Sequence, residues 1–399
     1  MMHKDKIRSH RVLPFCLLLL AGLLAAVAQA VPNAPPPVFR EFALQVETAA
    51  ATEDAAAIND RVDVDGLAAL ITMGYEPATR TNNRLRAQLR SQLDWGQAIT
   101  GAVAAGGNYR LLRLREEHGH VRALYRLNTP EGLNYHDMLL VADDAGIWIR
   151  DIYVYASGEW LSDSLRRPYL VAVSHNDVIG PDMAPRDRLF VAHRADLARP
   201  QTRVLAGDHT KALSVYRVLP AALQQEKFVQ LSRAVSAARV GGAALQTAQA
   251  EYARLFPGDI GFDLILAEAA REQGAAADAD TAIDRVDRAL GGDPYLNVLR
   301  GVIALRREQY QRARDLAEDA IMEESQLSEA HMLRIAAVLG ARDHKGTADA
   351  LTTAQDKAGL QFGSLDRQPA FADFLDSSPG KKWVEEQDRL ERERKESRK

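Results

Sequence analysis

The stretch DPYLNVLRGVIALRREQYQRARDLAEDAIMEE, residues 293–324, decides how the second half of the chain is read. Small or apolar residues stand at Gly301, Tyr310, Ala313 and Ala320. The preceding segment places Ala270, Ala279, Ala282 and Ala289 at identical offsets, and the following one places Ile335, His344, Thr347 and Ala354 there more loosely. Gly301 to Ile335 is a step of 34 residues, the period of a helix–turn–helix unit. Ala270 to Gly301 is 31, which predicts one shortened turn. Two antiparallel helices nest only where side chains are small, so the requirement recurs once per unit.

These residues resemble the tetratricopeptide repeat: a small residue late in the first helix, an aromatic and two alanines in the second, then proline. The resemblance covers roughly 230–360, without the tryptophan early in the first helix and with the tyrosine in one unit only. It implies an all-α solenoid over 186–375 whose extended surface holds a protein or peptide partner. Nothing in these helices reads as chemistry. His331 and His344 have no partner at metal-ligand spacing and are expected to be solvated or half-packed, and Glu323 and Glu324 read as the exposed end of a helix. Phe371, Phe374 and Trp383 are expected to seal the open end, and residues 376–399 to form a charged helix or tail.

At the other terminus Lys4, Lys6, Arg8 and Arg11 precede LPFCLLLLAGLLAAVA, and Ala28-Gln29-Ala30 matches a small-x-small cleavage pattern. The apolar run of sixteen residues is shorter than the ~20 that span a bilayer. Residues 1–30 therefore read as a signal peptide cut after Ala30, which predicts a periplasmic or secreted chain with no lasting anchor. The single cysteine, Cys16, would leave with it, so no disulfide or thiolate chemistry is expected. Losing four basic residues and Asp5 takes the net charge from −4 to about −7, a poor match to nucleic acid.

Between these ends, residues 38–105 read as helices, after which the period switches to two. Residues 109–115, 121–127, 133–141 and 147–155 read as an antiparallel meander, so that 37–170 is expected to be an α+β domain. SGEWLSDSLRRPYL reads as a helix from Ser157 stopped before Pro168, and 171–185 as a connector in which His175 and Asp177 fit a hydrophilic turn. His136 and Asp137 are strand neighbours that point to opposite faces, so they are not a catalytic dyad. Val121, Ala123, Tyr125 and Leu127 are assigned to one face with Leu133, Tyr135, Asp137 and Leu139, and with Ile147, Ile149, Asp151 and Tyr153. If Val141 lies opposite Ile147, Asp137 faces Asp151 directly, an arrangement that raises a carboxyl pKa. The alternative is that tyrosines or an arginine satisfy each aspartate, with Tyr125, Tyr135 and Arg113 as neighbours.

The order of long helices followed by curved hairpins ending in IRDIYVYASGEW resembles the nuclear-transport-factor-like α+β cone over about 37–168. That resemblance implies either a small-molecule site with an acidic residue in the cone, for which Asp137 and Asp151 are the carboxylates and Tyr125, Tyr135 and Tyr153 the wall, or a non-catalytic binding or dimerising module. No phosphate loop, HExxH, GxSxG or cysteine cluster occurs, and no cofactor or metal is expected. The preferred expectation is an exported, non-enzymatic adaptor that holds a protein or peptide through its helical repeats, the α+β module serving a homodimer or a ligand. The alternative is an enzyme or small-molecule-binding protein with Asp137 and Asp151 in its pocket.

Overall fold

The computed structural model describes residues 35–130, 132–174, 183–273 and 279–396. The expected signal peptide with Cys16, and the pair His175 and Asp177, lie outside the described residues. No described helix is long and apolar enough to cross a membrane.

Five helices open the chain: α1 (Pro37–Ala51), α2 (Ala55–Asn59), α3 (Val64–Ile71), α4 (Thr79–Gln92) and α5 (Trp95–Ala104). Asp54, Asp63 and Asp94 start three of them, each carboxylate accepting a hydrogen bond from the first-turn backbone. The antiparallel sheet follows in simple order as β1 (Asn108–Glu117), β2 (His120–Thr129), β3 (Gly132–Asp143), β4 (Gly146–Val154) and the short β5 (Glu159–Trp160). α6 (Leu161–Ser174) then runs straight through Pro168, which was expected to stop it, and takes in the first residues of the expected connector. Tyr169, Leu170 and Val173 pack from α6 onto Leu67 and Ile71 of α3 and Leu85 and Leu89 of α4, and this burial outweighs the hydrogen bond that proline removes.

The remainder is helical: α7 (Pro185–Ala192), α8 (Arg194–Leu205), α9 (His209–Val218), α10 (Ala221–Gln224), α11 (Lys227–Val240), α12 (Gly242–Leu255), α13 (Gly261–Gln273), α14 (Ala279–Leu290), α15 (Pro294–Arg306), α16 (Tyr310–Glu323), α17 (Ser328–Gly340), α18 (His344–Ala358), α19 (Ala372–Asp376) and α20 (Ser378–Glu396). Sequence neighbours pack as hairpins, α11 with α12, α13 with α14, α15 with α16 and α17 with α18. The first helices begin at Lys227, Gly261, Pro294 and Ser328, steps of 34, 33 and 34 residues. Each of them also packs on the next, whereas contacts between successive second helices are sparse among the described residues. The row therefore bends with its first helices inside.

The small residues sit at the close approaches. A Cβ placed on Gly301 would fall 2.2 Å from Leu333 Cδ2 of the next hairpin and 3.5 Å from the Ala313 carbonyl of its own. Tyr310 does the same work between units, its ring lying where a Cβ on Gly340 would be. Ala270, Ala279, Ala282, Ala313 and Ala320 are buried. Ala289 is not: it is exposed, and Leu290 takes the inward position. The irregular step lies in the second helix, since α14 has 12 residues against 14 in α16. Ala267, buried and 34 residues before Gly301, lies nearer the true step than Ala270. Phe371, Phe374 and Trp383 close the far end against Ile335, Val338 and Leu351.

The sheet has two buried faces. Tyr125 pairs with His136 and Ala123 with Met138, so Val121, Ala123, Tyr125 and Leu127 share a face with His136, Met138, Leu140 and Ile152. That face packs on Phe42 and Val46 of α1 and Ile99 of α5. Leu124, Leu133 and Tyr135 occupy the opposite face and belong to one core with Leu264, Leu290, Leu296 and Leu299 of the hairpins. The single apolar face read from the sequence is thus two, because the β2–β3 pairing sets odd-numbered residues opposite even-numbered ones.

Candidate functional site

Asp137 and Asp151 do not face one another. Val141 pairs with Trp148 rather than Ile147, and Arg150 is an extra residue between Ile149 and Asp151, so Asp137 lies opposite Tyr153 and Asp151 opposite Leu139. Each carboxylate has its own partners. Asp137 is fully buried and ion-paired to Arg115 and to Arg122, the latter at 2.7 Å. Burial raises its pKa, and the two arginines act the other way. Asp151 accepts from the Ser162 hydroxyl at 2.5 Å, from the Ser162 amide at 3.1 Å and from the Ile152 amide at 2.8 Å. Burial raises its pKa too, against those hydrogen bonds.

The three tyrosines do not converge. Tyr125 stacks on Tyr109 at 4.8 Å and donates to the Ala43 carbonyl at 2.9 Å, on the face toward α1. Tyr135 points the other way and donates to Asp293 at 2.7 Å; burial first, then that carboxylate, pushes its pKa well up. Tyr153 stands edge-on to Trp160 at 5.6 Å, with Lys227 Nζ 3.4 Å from its hydroxyl. His136 lies beneath Trp95, 5.0 Å between ring centroids, with Tyr109 Oη 3.3 Å from Nδ1 and Asn134 Nδ2 3.2 Å from Nε2. Burial pushes its pKa down to about 3, so the imidazole is neutral. His331 is buried, not solvated, 2.9 Å from the Ser325 carbonyl. Among the described residues no group of three or more His, Cys, Asp or Glu side chains could hold a metal ion.

The strongest polar constellation is one that sequence reading missed. Arg126 of β2 is fully buried. Its Nη1 lies 2.6 Å from Asp293 Oδ1 and its Nη2 2.9 Å from Glu324 Oε1, while the guanidinium sits 5.5 Å from the Tyr295 ring centroid. Asp293 also caps α15 through the Tyr295 amide at 3.0 Å. Burial works against the guanidinium charge, and Asp293 and Glu324 more than offset it, so the arginine is held protonated. Glu324, read as an exposed helix end, is one wall of this network. Beside it, Arg113 donates to the carbonyls of Gly291 and Gly292, not to either aspartate. Those glycines have φ of 79° and 102°, values that present successive carbonyls at little steric cost.

Two adjoining cavities form a groove between the end of the sheet and the helices α6, α7, α8, α11 and α13. One stretch, of about 550 Å³, lies between the Val154–Glu159 turn, α6, α7, α8 and α11, floored by Phe190, Leu197, Phe228 and Leu231. A second, of about 200 Å³, continues it between Leu133, α11 and α13 over Leu264 and Ile265. The two share Ala156 and Val235, and Val235 is 39% exposed. Arg167 is held by Glu159 at 2.7 Å and stacks over Phe228 at 4.1 Å. Arg194 is exposed, with no ion pair among the described residues. Neither Asp137 nor Asp151 lines the groove. No family model, curated protein or solved structure matches the chain.

Proposed function

We propose that this chain is an exported, non-enzymatic adaptor whose tetratricopeptide-like hairpins hold an apolar peptide segment of a partner protein in the groove along α8, α11 and α13. The observation that carries the reading is a pair of apolar-floored cavities, one over Phe190 and Phe228 and one over Leu264 and Ile265, that meet at Ala156 and the exposed Val235 between helices on one side and the end of the sheet on the other. Grooves of this kind, mostly apolar with a few oriented polar groups, suit recognition of a short segment.

In this reading the nuclear-transport-factor-like module is a wall rather than a dimerising unit, since the sheet face that would pair with a second copy is filled by the chain's own hairpins. Acid–base chemistry at Asp137 and Asp151 has less support, because both carboxylates are engaged by arginines or by Ser162. The test is selection of a displayed random-peptide library on the full chain, followed by titration of enriched peptides against wild type and Val235→Asp. Enriched peptides that bind the variant at least about tenfold more weakly support the groove. Unchanged binding to the variant, or no enrichment, contradicts it.

A further inference from the structure

Beyond that groove, a second surface closes the far end of the molecule. α20 packs against the last hairpin, with Gln387 and Gln355 exchanging hydrogen bonds at 2.8 and 3.2 Å. Between α20 and the segment Phe362–Asp366 lies a cleft of about 820 Å³. The floor is apolar, made by Phe362, Leu365, Trp383 and Val384, and Val384 is 37% exposed. Its rim is acidic. Asp366, Glu385 and Asp388 line it with no ion pair to any described residue, Glu391 also lines it, and Lys381 is the one cation among the described lining residues.

We infer that this cleft docks a basic amphipathic peptide segment of a partner, apolar side chains on Val384 and Phe362 and lysines or arginines along Glu385 and Asp388. The arrangement of side chains on α20 selects that occupant. Glu385 and Asp388 stand one turn apart on the side that bears Val384, so a single approaching face meets apolar and acidic groups in register. Asp366, Glu385 and Asp388 outnumber Lys381 around the apolar strip, so the cleft's charge complements a basic partner. An anionic membrane surface meets the opposite condition, since the rim carries the same sign.

The experiment titrates the full chain with a fluorescein-labelled amphipathic leucine/lysine peptide and with its leucine/glutamate counterpart. Three proteins are compared: wild type, Glu385→Lys with Asp388→Lys, and Val384→Asp. All three positions are exposed, and far-UV circular dichroism checks that each variant folds. The lysine peptide is expected to bind wild type and to lose about tenfold in affinity on both variants, while the glutamate peptide binds wild type at least about tenfold more weakly. Equal affinity of the lysine peptide for wild type and either variant overturns the assignment. So does concentration-dependent self-association of the chain that Val384→Asp abolishes, because the occupant would then be a second copy.

Discussion

Arg126 and Asp293 lie 2.6 Å apart, one in the middle of a strand and the other at the first turn of a helical hairpin, and neither side chain reaches water. The contact spans 167 residues of sequence and fastens the sheet to the hairpin row. Removing one partner of such a pair strands the other charge. Arg126→Met is expected to cost about 3–5 kcal/mol in urea unfolding. Adding Asp293→Asn and Glu324→Gln should recover part of the loss, because the stranded charges are then gone.

Between hairpins, the tight contact is Gly301 against Leu333. Gly301→Leu is expected to destabilise the chain by about 1–3 kcal/mol through overpacking. Leu333→Ala alone leaves a cavity and costs about 2–5 kcal/mol. Combined, the two changes should cost less than their sum, since each fills or vacates the space the other needs. A double-mutant cycle on denaturant midpoints reads this coupling directly.

His136 supplies a pH dependence with a definite sign. Its folded pKa is about 3, below the unfolded value near 6.5, so protonation favours unfolding. The contribution is fully present above pH 6.5 and is lost as pH falls toward 3, reaching about 2 kcal/mol by pH 5. Wild type is expected to lose about that much more stability than His136→Gln between pH 7.5 and pH 5, measured by urea unfolding at both values.

Much of the architecture was legible because the two periods are distinct. Alternation at 109–115, 121–127, 133–141 and 147–155 located four strands whose bounds are Asn108–Glu117, His120–Thr129, Gly132–Asp143 and Gly146–Val154. Gly301, Ala313 and Ala320 marked close approaches because only small residues fit there. What alternation cannot supply is register. One extra residue at Arg150 and an odd offset between β2 and β3 were enough to separate Asp137 from Asp151 and Tyr125 from Tyr135.

The second buried face was harder to see, since its partners lie more than a hundred residues downstream. The signal was present in Ala123-Leu124-Tyr125, where consecutive apolar residues leave no polar side for solvent. Arg126 beside them reads as a surface residue unless both faces are known to be covered. Ala289 was misplaced for the converse reason: a fixed offset was carried across a helix two residues shorter than its counterpart.

The central structural claim is that the sheet and the hairpins share one core, and native-state hydrogen exchange tests it most directly. Met138 is fully buried on the sheet face toward the N-terminal helices, away from every hairpin, and Met138→Ala is expected to lower the opening free energy of the β2 and β3 amides by about 2–5 kcal/mol. If the core is shared, the amides of Leu296 to Leu299 in α15 fall by the same amount in the same experiment. Exchange in α15 that stays at its wild-type value while the sheet amides weaken would contradict it.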